Sequence, residues 1–153
     1  TDYILLGVYS DDLIPVMAKV LCGLGIRHAM VVHGEDGFDE ISISAPTKVA
    51  EIKDGGIFEY TITPEQFGLP LAEKEEVVGG SPEENALITQ GILAGTIRDA
   101  KRNIVLLNAG CALYVVGQAG SIGDGVALAA EMIDSGAALA KLEELKRFTN
   151  ALA

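Results

Sequence analysis

The chain has 153 residues, 49% of them hydrophobic and 22% charged, with a net charge of −11. That length suits one core and that composition a folded chain, and no apolar run approaches the roughly 20 residues of a membrane helix. The acidic surface field opposes binding to nucleic acid or anionic membrane and attracts cations.

The first segment, "YILLGVY" at residues 3–9, is a continuous apolar run that predicts a strand buried on both faces. "SDDLIPVMAKVLCGLG" then predicts a helix, with Ser10 as its cap, acids in the first turn and a terminal glycine. "RHAMVVHG" resumes as a second buried strand. Residues 3–34 therefore form a βαβ unit whose two strands are expected to be parallel and adjacent. Next, "TKVAEIKDGGIFEYTIT" carries two β-rich segments around Asp54-Gly55-Gly56, a hairpin signal read as an excursion from the main sheet. "TPEQFGLP" predicts a short helical turn closed by Gly68 and Pro70, and "LAEKEEVVGG" a polar connector.

A capping-box start marks "SPEENALITQGILAG": Ser81 is the cap, Pro82 the first helical residue and Glu84 the return partner. From Thr96 to Asn150 the chain is expected to be helical, broken at "VGQAGS" and near Ser135-Gly136, with Ala-rich faces suited to packing on a sheet. The fold class predicted is a single α/β domain over residues 1–153: part of a mostly parallel sheet flanked by helices, with a β-hairpin excursion. The chain opens on a strand without an initiator Met, as a fragment does.

The most suggestive stretch is "VVHGEDGFDEIS", residues 31–42. Glu35, Asp36, Asp39 and Glu40 follow a buried strand, in a loop that Gly34 and Gly37 allow to turn sharply. Oxygen donors at a strand's carboxyl end suit magnesium, which takes one or two carboxylates and completes its shell with water and substrate phosphate. The spacing excludes an EF-hand. Locally the pattern leaves two readings open, a solvated acidic turn and a cation site.

Other candidates carry less. His28 and His33 lack metal-ligand spacing and are expected to fill satisfied polar roles. Cys22 and Cys111 sit in apolar helical patterns without a CxxC pair, which predicts buried free thiols in a reducing cytoplasm. "GQAGSIGDG" fits neither glycine-rich phosphate motif and is read as an interhelical turn. Arg98, Lys101 and Arg102 are read as a solvated helix face.

Taken in order, "GVYSDDLIPVMAKVLCGLGIRHAMVVHGEDGFDEIS", "EYTITPEQFGL" and "NAGCALYVVGQAGSIGDGVALAAEMIDSGAALAKLEEL" resemble the carboxyl-terminal part of the anthranilate phosphoribosyltransferase family. The resemblance spans nearly the whole chain. It implies an enzyme that transfers the phosphoribosyl group of phosphoribosyl pyrophosphate to anthranilate in tryptophan biosynthesis, with Mg2+ at the pyrophosphate. By resemblance the family's acidic metal pair falls on Asp39 and Glu40. The family's G-T-G-G-D loop, N-x-S-T segment and K-H-G-N-R stretch are absent from these residues, as is its amino-terminal helical domain. The resemblance therefore implies about half an enzyme, inactive alone and expected to self-associate, from a homo-oligomeric parent. The alternatives are a related nucleoside phosphorylase and a freestanding acidic cation-binding module.

Overall fold

The computed structural model describes residues 1–151. Strand β1 (Tyr3–Gly7) leads through a 3-10 turn (Asp11–Leu13) into helix α1 (Ile14–Gly23), and β2 (His28–Gly34) returns parallel to β1. The predicted βαβ unit is present, with Tyr3 opposite His28 and Gly7 opposite Val32. Two details depart from expectation. Strand β1 is shorter than residues 3–9 and only half-buried throughout, because it is an edge of the four-stranded order β1-β2-β3-β4. Ser10 stands before the 3-10 turn in extended conformation but makes no side-chain cap; α1 starts after Leu13, with Pro15 in its first turn.

Strands β3 (Thr47–Lys53) and β4 (Gly56–Ile62) form the predicted hairpin, with Lys53 opposite Gly56. Asp54 and Gly55 between them take φ of 51° and 77°, the left-handed pair that a type I′ turn requires. The hairpin is not an excursion, however. Strand β3 pairs antiparallel along all of β2, from His28–Lys53 to Gly34–Thr47. The sheet is therefore mixed rather than mostly parallel: one pairing is parallel and two are antiparallel. The reason lies in the connection. A parallel neighbour needs a crossover, usually helical, whereas residues 35–46 form a helix-free loop that turns back at the same end of the sheet.

After a 3-10 turn (Pro64–Phe67) closed by left-handed Gly68, and a second one (Lys74–Val77), come α2 (Pro82–Leu93), α3 (Ala100–Val115), α4 (Ile122–Asp134) and α5 (Ala137–Asn150). The capping box at α2 is formed: Glu84 N–H donates to Ser81 Oγ at 3.2 Å, and Ser81 N–H donates to Glu84 Oε2 at 2.7 Å. The breaks expected at "VGQAGS" and at Ser135-Gly136 separate α3, α4 and α5.

Alternation along β2 explains its unbroken apolar sequence. Ala29 and Val31 pack with Ile14, Ala18 and Leu21 of α1, whereas Met30 and Val32 pack with Leu107, Cys111 and Val126 of α3 and α4. A strand covered on both faces has no polar side to show. Helices α3 and α4 approach most closely at glycines: a Cβ on Gly125 would stand 2.2 Å from the Gly110 carbonyl oxygen.

One polar cluster interrupts the core at the edge of the sheet where β2 begins. Glu51 accepts hydrogen bonds from Tyr60 at 2.9 Å and Tyr114 at 2.8 Å, and its Oε1 lies 2.8 Å from His28 Nε2. Burial pushes the Glu51 carboxyl up, but the hydrogen bonds from Tyr114, His28 and Tyr60 outweigh it and hold the group below the usual glutamate value. The satisfied role expected of His28 is thus met. His33 has one too, its Nδ1 lying 2.8 Å from the Val8 carbonyl.

Candidate metal-binding site

The carboxyl ends of β1 and β2 meet the loop of residues 35–46, and backbone bonds shape that loop first. Gly34 N–H donates to Phe38 O at 2.9 Å, Gly37 N–H to Gly34 O at 2.8 Å, and Glu35 N–H to Pro46 O at 2.9 Å. Gly37 takes φ of 91°, which a side chain would strain.

The four acids of this loop do different work. Asp36 is committed internally: Oδ2 accepts from Ser42 Oγ at 2.6 Å and from Ser44 Oγ, and its main-chain carbonyl accepts from Lys74 Nζ at 2.6 Å. Burial raises the Asp36 carboxyl, but the two serine hydroxyls outweigh that effect and hold it below the usual aspartate value. Asp36 is thus a brace across the loop rather than a free oxygen donor. Lys74 also lies 4.7 Å from the centre of the Phe38 ring, so the 3-10 turn that carries it pins the loop from outside.

Asp39 and Glu40 are the reverse case. Both are exposed, and neither side chain makes a hydrogen bond or ion pair among the described residues. Their main chain is nonetheless held on both sides. A Cβ on Gly7 would stand 1.6 Å from the Asp39 carbonyl oxygen, so only glycine at the end of β1 admits this approach. Beyond the pair, Ile41 and Ile43 are fully buried, and Asn108 of α3 bonds to both backbone groups of Ile41.

Two adjacent unpartnered carboxylates offer hard oxygen donors and nothing softer, a set that suits magnesium. Among the described residues no three His, Cys, Asp or Glu side chains converge as a closed metal cage would require. An open arrangement of this kind fits a cation that shares its shell with water and a phosphate ligand. Glu35, the fourth acid, is exposed; beside it Lys48 is paired with Asp11 at 2.6 Å.

The remaining candidates fall elsewhere. Lys101 and Arg102 are half-buried rather than solvated: Lys101 Nζ donates to Glu76 O at 2.8 Å and Val78 O at 2.6 Å, and Arg102 donates to both oxygens of Asp134 at 3.0 Å. With Arg98 also on Asp134, the basic cluster is a set of structural ties and not a phosphate clamp. Cys22 and Cys111 are free as expected, but only Cys111 is buried; Cys22 is half-exposed. Sequence reasoning missed Gly7, Lys74 and Asn108. The available signal was the glycine at the end of an apolar strand and the lone amide in an apolar helix.

The sequence model of the glycosyl transferase family, a/b domain, matches residues 1–139. An anthranilate phosphoribosyltransferase of Shewanella putrefaciens is 50% identical over 149 residues, 97% of this chain and 42% of that protein. The crystal structure of anthranilate phosphoribosyltransferase from Thermus thermophilus superposes with a TM-score of 0.86 at 39% identity, over 94% of this chain and 42% of that one. The Saccharomyces cerevisiae enzyme in complex with PRPP and Mg gives 0.81 at 32% identity, over 91% of this chain and 40% of that one. The chain thus spans less than half the length of these relatives.

Proposed function

This chain belongs to the glycosyl transferase family, a/b domain, and from that premise we propose that it is one α/β domain of an anthranilate phosphoribosyltransferase acting in tryptophan biosynthesis. Its substrates would be phosphoribosyl pyrophosphate and anthranilate, with Mg2+ held by Asp39 and Glu40. The observation that carries the reading is the contrast inside one loop: Asp36 is bonded to Ser42 and Ser44, while Asp39 and Glu40 beside it are exposed and, among the described residues, unpartnered. Identity of 50% to an anthranilate phosphoribosyltransferase favours this reading over a nucleoside phosphorylase or a freestanding module.

A divalent cation held by Asp39 and Glu40 would supply charge neutralisation for a pyrophosphate leaving group, without any proton transfer. The chain's own part is positional. Asp39 and Glu40 present carboxylate oxygens to solvent at the carboxyl edge of β1 and β2. Asp36 holds the turn that carries them, and Lys74 holds Asp36 from the adjoining segment. The groups that grip the ribose, the pyrophosphate and anthranilate belong to motifs absent from these residues, so this chain alone should show no transfer. Two free thiols and the acidic surface suit a cytoplasmic enzyme, and homo-oligomerisation of the full-length protein is part of the same proposal.

The test is steady-state kinetics of the full-length protein and its Asp39→Asn variant across a magnesium titration. Loss of one ligand charge should raise the magnesium and phosphoribosyl pyrophosphate requirements about tenfold or more, with anthranilate KM much less affected. Unchanged magnesium dependence would return the loop to a solvated acidic turn.

A further inference from the structure

We infer that Asn108 is a positioning residue for the Asp39–Glu40 pair, an inference that rests on the proposed metal-binding role of that pair. Asn108 lies in α3, far from the loop in sequence. Its Oδ1 accepts from Ile41 N–H at 3.0 Å, and its Nδ2 donates to Ile41 O at 2.8 Å and to Ile104 O at 3.0 Å. The two carbonyls fix which end of the amide is which, since only the NH2 group can donate to both. All the donors and an acceptor of the side chain are thereby used.

Ile41 is fully buried in a stretch without strand partners, so its N–H and C=O would otherwise go unsatisfied. Asn108 supplies what a neighbouring strand would supply. That alone is a stability role. What extends it to the site is position: the Ile41 amide belongs to the peptide unit that follows Glu40, so the clamp fixes the plane from which the pair departs. On the other side, the Asp39 carbonyl rests against Gly7. Among the described residues neither carboxylate has a side-chain partner, so these backbone anchors are what fix the Cα–Cβ bonds from which the two side chains reach out. A ligand pair is useful only when held close to its productive geometry, and the outer contacts that hold it typically matter about 10- to 100-fold in metal affinity.

The experiment uses the full-length protein with Asn108→Leu, which keeps the branched shape at somewhat larger volume and removes all three bonds, and Asn108→Ala, which removes the bonds without added bulk if the first variant folds poorly. Asp39→Asn is run alongside. Three quantities are measured: the half-saturating magnesium concentration for transfer, the KM for anthranilate, and Mn2+ affinity by electron paramagnetic resonance with phosphoribosyl pyrophosphate present. Either Asn108 variant should raise the magnesium requirement and weaken Mn2+ binding about tenfold, with the KM for anthranilate within about twofold of wild type. Amide exchange at residues 39–43 should quicken in the same variants. Lower thermal stability with unchanged magnesium and Mn2+ affinity would overturn the inference and leave Asn108 as a support for buried backbone. If Asp39→Asn also leaves metal affinity unchanged, the proposed metal site fails; if Asp39→Asn weakens it and the Asn108 variants do not, only the positioning role fails.

Discussion

Replacing Gly125 with alanine should destabilise the protein even though alanine is the better helix former. In the middle of an exposed helix the change would contribute about 1 kcal/mol of stability. Here the new Cβ would stand 2.2 Å from the Gly110 carbonyl oxygen and 2.9 Å from its carbon, both main-chain atoms that cannot rotate away. Helices α3 and α4 must separate by about 1 Å to restore ordinary contact, and a gap of that size forfeits up to about half of each van der Waals contact along the seam. Val126 and Ala129 on one side and Leu107 and Cys111 on the other would feel it, all of them buried. Overpacking of about 3 kcal/mol less the propensity gain leaves a net loss of about 2 kcal/mol. In urea unfolding followed by circular dichroism that is a midpoint lower by about 1 M at unchanged slope. Gly123→Ala is the control: it lies on the same helix, its nearest neighbour would be Ser121 Oγ at 3.8 Å, and it should be neutral or stabilising by about 0.5 kcal/mol. Equal stabilisation by both substitutions would refute the close-approach argument.

Gly7→Ala should displace the Asp39 main chain, since its Cβ would overlap the Asp39 carbonyl oxygen at 1.6 Å; the check is a raised magnesium requirement in the full-length protein together with lower thermal stability. The Glu51 carboxyl, held below its ordinary value of 4.5, contributes stability that is complete above that value and is lost as pH falls through the lower folded value. Between about pH 5 and pH 3, wild type should therefore lose more unfolding free energy than Glu51→Gln, and parallel curves would count against this. Burial pushes the Cys111 thiol up to about 12, so a thiol reagent near pH 8 should label Cys22 in the folded protein and reach Cys111 only after denaturation.

What could be read from the sequence follows from how local each signal is. The Asp54-Gly55 turn and the Ser81–Glu84 box depend on neighbours within a few residues, and the βαβ unit on three consecutive elements whose connection rule is general; all three are found. The antiparallel pairing of β2 with β3 was not legible, because "HAMVVHG" is equally apolar beside a parallel or an antiparallel partner. Nor did the pattern show that β1 is an edge, since partner number is a property of the sheet. Within the site, the four acids stood out by density, but density cannot separate Asp36, spent on two serines, from Asp39 and Glu40. Gly7 and Asn108 act across 32 and 67 positions of sequence, respectively, beyond the reach of any window on the chain.

The antiparallel ladder between β2 and β3 also bears on the thermodynamics of ligation. Gly34 pairs with Thr47, and Glu35 N–H bonds to Pro46 O, so the two ends of the acidic loop are zipped together by the sheet itself. Closing a loop costs chain entropy that is commonly charged to the binding event when a segment orders around its ion. Here that cost falls on folding instead. At the proposed site, cation capture should therefore be dominated by dehydration of the ion and its ligands, with a small heat-capacity change.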